Sequence, residues 1–249
     1  MNIQKRKGAT LTAVLVFCSL LPADDLRAES FSITLTNLTN TGPNNGQPFS
    51  PPVFVTHDAT LSLWEAGQAA TPGLALIAEE GVSDLLVTDL QTQLGAGVSG
   101  IATPSVLPLM PGQSLTFTVT TDATRPFLSS AWMLGRTNDG FTGNNALDLF
   151  GALAPGGYEL FALDAGSEVN NESALFLPAL GGTLNDPENG VVGIHTGIRG
   201  DADAPASWGF SGAVARVTVV VVPETGTLCL LGSGILTGLV LARRKRLAL

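Results

Sequence analysis

Apolar and polar residues alternate along much of the middle of the chain, at the two-residue period of a half-buried strand. In residues 31–37, Phe31, Ile33 and Leu35 share one face while Ser32, Thr34 and Thr36 share the other. The stretch 59–64 alternates Leu61 and Leu63 against Thr60, Ser62 and Trp64, and 114–120 sets Leu115, Phe117 and Val119 against three threonines. Residues 127–134 are mostly apolar, as a central strand covered on both faces should be. Tyr158 to Asp164 adds another strand, and Ala213–Val222, with its run of valines, is the strongest strand signal in the chain.

Helical spacing is rarer. Pro72–Glu80 carries Leu74, Ile77 and Ala78 on one stripe, with Pro72 near its start and Gly81 just past its end, the usual helix punctuation. A second helix or helical turn is predicted over 84–93, with Leu85, Leu86 and Leu90 inward. Residues 40–52, rich in Asn, Gly and Pro, and 181–207, poor in large apolar side chains, read as loops. Many short strands, Gly/Pro turns and one or two short helices predict an all-β fold, an antiparallel β-sandwich.

The two ends break this pattern. Lys5, Arg6 and Lys7 precede an apolar stretch from Ala9 to Leu21, with small residues at Ala23 and Ala28, which is the layout of a secretory signal peptide over 1–28. At the other end, an apolar run from Thr227 to Ala242 precedes Arg243, Arg244, Lys245 and Arg246. About 16 residues at ~1.5 Å each span ~24 Å, and snorkelling arginines make up the difference to a ~30 Å hydrocarbon core. The positive cluster stays cytoplasmic, which leaves residues 29–221 outside as one domain and 222–249 as a tail segment with a transmembrane helix.

Val222-Pro223-Glu224-Thr225-Gly226, the Gly- and Leu-rich run and the basic end resemble the PEP-CTERM sorting signal of Gram-negative envelope proteins, with Thr225 in place of the second proline. The same five residues also look like a sortase signal with Val222 in place of leucine. The anchor composition and the lack of a lysine-rich wall-spanning region favour the first. Either resemblance implies a membrane processing protease, exosortase-like in the first case. It also implies an exported protein of the envelope or exterior, held at the inner membrane by its C-terminal helix until processed.

Composition narrows the partners. Between Glu29 and Val222 stand four arginines, no lysine and 18 acidic residues, a net charge of −14. Such a surface disfavours nucleic acid and suits divalent cations. Cys18 and Cys229 both lie in the terminal segments, so the domain has no disulfide. Nucleophile elbows, zinc-protease helices and phosphate loops are absent from the sequence, and His57 and His195 have no serine beside them; the reading is non-catalytic.

Oxygen ligands are the remaining chemistry. Asn138-Asp139-Gly140 is a turn tripeptide, and Asp164-Ala165-Gly166-Ser167-Glu168 sets two carboxylates on one bend at a strand end, a geometry open to Ca²⁺ and equally to ordinary turns. Three blocks then carry a resemblance: His57-Asp58-Ala59-Thr60-Leu61-Ser62-Leu63-Trp64-Glu65-Ala66-Gly67, Trp132-Met133-Leu134 with Asn138-Asp139-Gly140-Phe141, and Asp164 to Glu172. Over residues 30–221 the chain resembles the spondin domain, of the kind at the N-terminus of F-spondin-like proteins. The resemblance implies a C2-like β-sandwich and a calcium site that falls on Asp139, Asp164 and Glu168, the last standing where the family has Asp.

The expected function is a secreted or surface-associated calcium-binding adhesion or matrix module, with an extracellular polysaccharide or a surface protein as ligand. A first alternative is a polysaccharide-binding protein that stacks sugars on Trp132 or Trp208. A second is a hydrolase with Glu65 and Asp58 as its carboxylate pair.

Overall fold

The computed structural model of this chain describes residues 27–105 and 107–223. The expected signal peptide and the tail with its sorting motif and apolar run lie almost wholly outside the described residues. Among the described residues, no helix is long and apolar enough to cross a membrane.

The strands are β1 (Glu29–Asn37), β2 (Val53–His57), β3 (Val98–Ala102), β4 (Ser114–Thr121), β5 (Phe127–Met133), β6 (Gly140–Thr142), β7 (Leu147–Asp148), β8 (Tyr158–Phe161), β9 (Leu163–Asp164), β10 (Gly193–Ile194) and β11 (Ala213–Val222). Two helices, α1 (Pro72–Glu80) and α2 (Asp84–Gln91), fall between β2 and β3. One sheet runs β4-β1-β11-β8; the other runs β10-β9-β6-β5-β2-β3, with β7 paired to β5. Every ladder pairing is antiparallel.

Alternation sets the layers. Phe31, Ile33 and Leu35 of β1 turn inward with Val217 and Val219 of β11, against Phe54, Leu128 and Trp132 of the facing sheet. Outward, Thr34 bonds Thr116 at 2.9 Å and Thr36 bonds Ser114 at 2.9 Å across the strands. The second sheet is covered on its other face by α1 and α2, whose Leu74, Ile77, Leu86 and Leu90 pack on Val53, Val55 and Ala131. Hence β2 and β5 are buried on both faces, and their sequences read as apolar runs.

The α1 ends follow their residues. Thr71 Oγ accepts from the Leu74 amide at 3.3 Å, and Gly81 closes the helix at φ 68°, a left-handed conformation that glycine adopts without strain. Thr71 is therefore the cap. Leu85 of α2 turns to solvent, because only Leu86 and Leu90 fall on the stripe that meets α1. The expected strand over 59–64 is also absent. Asp58 Oδ1 accepts from the Thr60 amide at 2.8 Å, and this Asx turn stops the extended chain at His57, so the strand lies just upstream as β2.

The register fixes two ends of the sandwich. Ser30 lies opposite Val222 and Glu29 opposite Thr121, so both ends of the domain leave from one side. Asn37 and the loop after it emerge at the opposite end, where Gly135 N–H donates to Pro48 at 2.8 Å. The turn that holds Asp139 stands at that second end.

Candidate functional site

Strands β6, β9 and β10 bring the two acidic bends together, with Gly140 opposite Asp164 and Asp164 opposite Gly193. The first bend is tied by Thr137, whose hydroxyl donates to Leu134 O at 2.7 Å and accepts from the Gly140 amide at 2.9 Å. Glycine at 140 is required by close approach: a Cβ there would sit 2.4 Å from Thr137 Oγ and 3.0 Å from His195 Cδ2. In the second bend Gly166 takes φ 66°, and a Cβ would sit 2.4 Å from the Val191 amide nitrogen.

Asp139 is wholly buried. Its Oδ2 accepts from the Ser167 amide at 2.7 Å, the Ser167 hydroxyl at 3.3 Å and the Glu168 amide at 3.0 Å. Its main-chain oxygen accepts from the Ala165 amide at 3.1 Å. Oδ1 has no hydrogen-bond partner. Burial, with the Asp164 charge adding to it, pushes the Asp139 carboxyl up to about 6.

Asp164 uses Oδ1 to accept from the Gly166 amide at 2.7 Å and Oδ2 to accept from Asn170 Nδ2. Glu168 is buried too, and burial followed by the Glu79 charge, with lesser effects of Asp139 and Glu80, raises its carboxyl to about 7. Glu168 thus lies between Asp139 and the C-terminal end of α1. The bends meet through the Asp139 carboxylate on the Ser167 and Glu168 amides and the Asp139 carbonyl on the Ala165 amide. Among the described residues, no three His, Cys, Asp or Glu side chains gather as a group able to hold a metal ion.

Two neighbours carry more than the sequence signalled. His195 Nδ1 accepts from the Gly197 amide at 3.0 Å, its ring lies 5.3 Å from that of Phe210, and its Nε2 is buried without a partner. Glu172 is 3 % exposed; Oε1 accepts from the Arg199 amide at 2.6 Å and Oε2 from the Gly200 amide at 2.8 Å. Its carbonyl also accepts from Asp203 and Ala204, each at 3.1 Å, so one residue closes the 172–204 excursion. Glu172→Ala is expected to cost about 2 kcal/mol, since it removes two hydrogen bonds to a carboxylate that hold the Arg199 and Gly200 amides in place. A melting temperature about 4–8 °C lower checks this.

The residues of the alternative readings sit elsewhere. Trp132 is fully buried between Phe49 and Phe54, at 5.7 and 5.8 Å. Trp208 is buried under the Arg136 guanidinium, 4.7 Å from the ring centroid. Neither offers a free face for a sugar. His57 is buried, with Nδ1 donating to Asp58 O at 2.6 Å and Nε2 2.7 Å from the equally buried Ser129 Oγ, so no substrate reaches that pair. Asp58 is held below the usual carboxylate range by the Thr60 hydrogen bonds, opposite to what a general acid requires.

Residues 37–171 match the Spondin_N family model, more than half of the chain, and the chain belongs to the Spondin_N family. The match covers Asp139, Asp164 and Glu168, stops one residue short of Glu172, and is narrower than the resemblance over 30–221. A comparison with curated proteins finds no match.

Proposed function

We propose that this Spondin_N chain is an exported, non-catalytic adhesion or matrix module whose loop end is braced by Ca²⁺, with Asp139, Asp164 and Glu168 as its carboxylate ligands. The observation that carries the metal is Asp139 Oδ1, an acceptor oxygen in the interior with no donor. A buried carboxylate beside a second one is unfavourable, and a hard cation removes both the missing contact and the repulsion. The residues present fit in donor type, carboxylates with main-chain carbonyls in the same bends, but the three side chains do not gather as a formed site, so binding requires them to close on the ion. Bound Ca²⁺ would supply fixed positive charge and hold the two bends in one arrangement; it has no chemical step to perform.

The layout supports display. Both ends of the domain leave beside Glu29 and Val222, while Asp139 and the long loops stand at the far end. A chain tethered through residues 222–249, before an exosortase-like protease acts, would hold those loops away from the membrane. Ligands in this reading are extracellular polysaccharide or surface protein, and the net charge of −14 between Glu29 and Val222 disfavours nucleic acid.

Saturating Ca²⁺ is expected to raise the melting temperature of the EDTA-treated chain. At a hundredfold excess over Kd the gain is about 2.7 kcal/mol, roughly 5–10 °C. Asp139→Asn keeps the amide contacts on its remaining carbonyl oxygen and removes the anionic ligand, so its melting curve should no longer respond. A parent protein indifferent to Ca²⁺, or an Asp139→Asn variant with an unchanged response, overturns the metal assignment.

A further inference from the structure

At the same end as Asp139 the chain forms a cleft of about 410 Å³ between 38–40 on one side and 206–211 on the other. We propose that this cleft binds a neutral saccharide. It deepens the adhesion reading, which names polysaccharide among the ligands, and shares with the calcium assignment only the view that this end faces outward.

The walls are uncharged. Thr39, Asn40, Ser207, Phe210 and Ser211 line the cleft with small apolar residues, and no acidic or basic side chain is among the lining residues. That is notable in a domain with 18 carboxylates between Glu29 and Val222. A metal would require carboxylates that are not there, and a phosphate or uronate would require a cation. Two guanidinium groups nearby are spent: Arg136 lies over Trp208, with Nη1 donating to the carbonyls of Asn44, Asn45 and Gly46 at 2.7, 2.9 and 3.0 Å, and Arg199 donates to Asp201 through Nε at 3.2 and 3.1 Å. An extended peptide would need a free strand edge, and β11 at Ala213 and Ala215 is paired by β8 on one side and, from Ala215, by β1 on the other.

What remains is a ligand that both donates and accepts without charge. The Ser207 and Ser211 hydroxyls have no protein partner among the described residues. Asn40 Oδ1 accepts from the Gly42 amide at 3.1 Å, which leaves its Nδ2 to donate. Phe210, half-buried against His195, supplies an aromatic surface of the kind that packs on sugar C–H faces. The volume falls in the ~300–1,000 Å³ range of small-molecule sites.

The walls are also held in place before any ligand arrives. Gln47 Nε2 donates to Trp208 O at 2.8 Å, and the Gly46 amide donates to Ser207 O at 3.1 Å, which ties the two sides together. Thr39 Oγ donates to Asn37 Oδ1 at 2.7 Å and accepts from the Gln47 amide at 3.0 Å. A cleft with fixed walls loses little ordering entropy on binding, so weak hydroxyl contacts suffice for recognition.

The test is calorimetry of the full chain with neutral cello-, xylo- and manno-oligosaccharides, and with oligogalacturonate as the anionic probe. Saturable binding of at least one neutral series is expected. Ser207→Glu/Ser211→Glu should weaken it roughly tenfold or more, while Thr118→Glu on the outer face of β4 leaves it unchanged. All three positions are exposed, so melting temperatures should match the parent. Absence of binding across the neutral series, binding that survives the double substitution, or preference for oligogalacturonate overturns the proposal. Failure of the Ca²⁺ response with saccharide binding intact would remove the metal and leave the cleft.

Discussion

In calcium-free buffer, Asp139→Asn/Glu168→Gln is expected to gain stability relative to the parent as the pH rises from about 4 to about 7, by about 3 kcal/mol in total. The parent carries two carboxyls whose protons the folded state holds more tightly than the unfolded chain does: Asp139 at about 6 and Glu168 at about 7. A folded pKa above the unfolded one gives stability that is complete below the unfolded value and lost as the pH passes through the folded value. Each group loses at most about 1.4 kcal/mol per pH unit between its unfolded and folded values, a ceiling of about 6 kcal/mol for the pair that solvent screening roughly halves, and the amides lose none. His57 and His195 run the other way, because burial disfavours their charged forms and stability falls as the pH drops below the unfolded histidine value. Both histidines are present in parent and variant, so the difference between the two curves isolates the carboxyls. Asp58 and Asp122, held low by hydrogen bonds from Thr60 and Thr124, titrate below this range.

Thermal melts of both proteins at several pH values measure the difference, which should open to roughly 6–12 °C at neutral pH. Parallel curves would show that the two carboxyls titrate normally and that nothing at this end calls for a cation. Saturating Ca²⁺ should close the gap, since the metal restores to the parent what the amides give the variant. The proton and the calcium ion compete for the same oxygens.

Legibility along the chain followed the range of the forces involved. α1 was readable to the residue because its stripe, Pro72, and Gly81 act within one helix; β11 was readable because β-branched valine fills six of its ten positions. β3 was missed because Gly100 and Ser99 interrupt its apolar face, and it exists through its ladder with β2. The two-residue strands β7 and β10 have no local signal, since their partners define them, and the one strand read over 158–164 splits into β8 and β9, which join different sheets. At the candidate site, spacing and family resemblance placed Asp139 beside residues 164–168. They could not show Asp139 Oδ2 taken up by the Ser167 and Glu168 amides, because a main-chain donor looks the same at every residue. The roles of Glu172 and Arg136 were hidden for a related reason: each serves backbone groups far away in sequence, 27 residues for Glu172 to Arg199 and 92 for Arg136 to Asn44.

Asn37→Ala is expected to be among the most damaging single changes in the domain, at about 3 kcal/mol, or a melting temperature roughly 6–12 °C lower. Asn37 is wholly buried at the end of β1. Its Nδ2 donates to Gln47 O at 2.7 Å and Leu109 O at 2.9 Å, and its Oδ1 accepts from the Thr39 amide at 3.0 Å and the Thr39 hydroxyl at 2.7 Å. Every hydrogen-bonding position of the amide is used, so alanine strands several buried groups at once. Asn37→Asp is nearly isosteric and tests the mechanism, because a carboxylate oxygen would face two carbonyls that need a donor. It should be at least as destabilising as alanine; rescue by Asp would mean that size, not the donor, is what the site requires. Thr36→Ala, one residue away on the outer face, removes a solvent-exposed hydroxyl pair and should shift stability by only a few tenths of a kcal/mol. The same network fixes Gln47 against Trp208, so at temperatures where Asn37→Ala is still folded, its cleft should take up neutral saccharide more weakly than the parent.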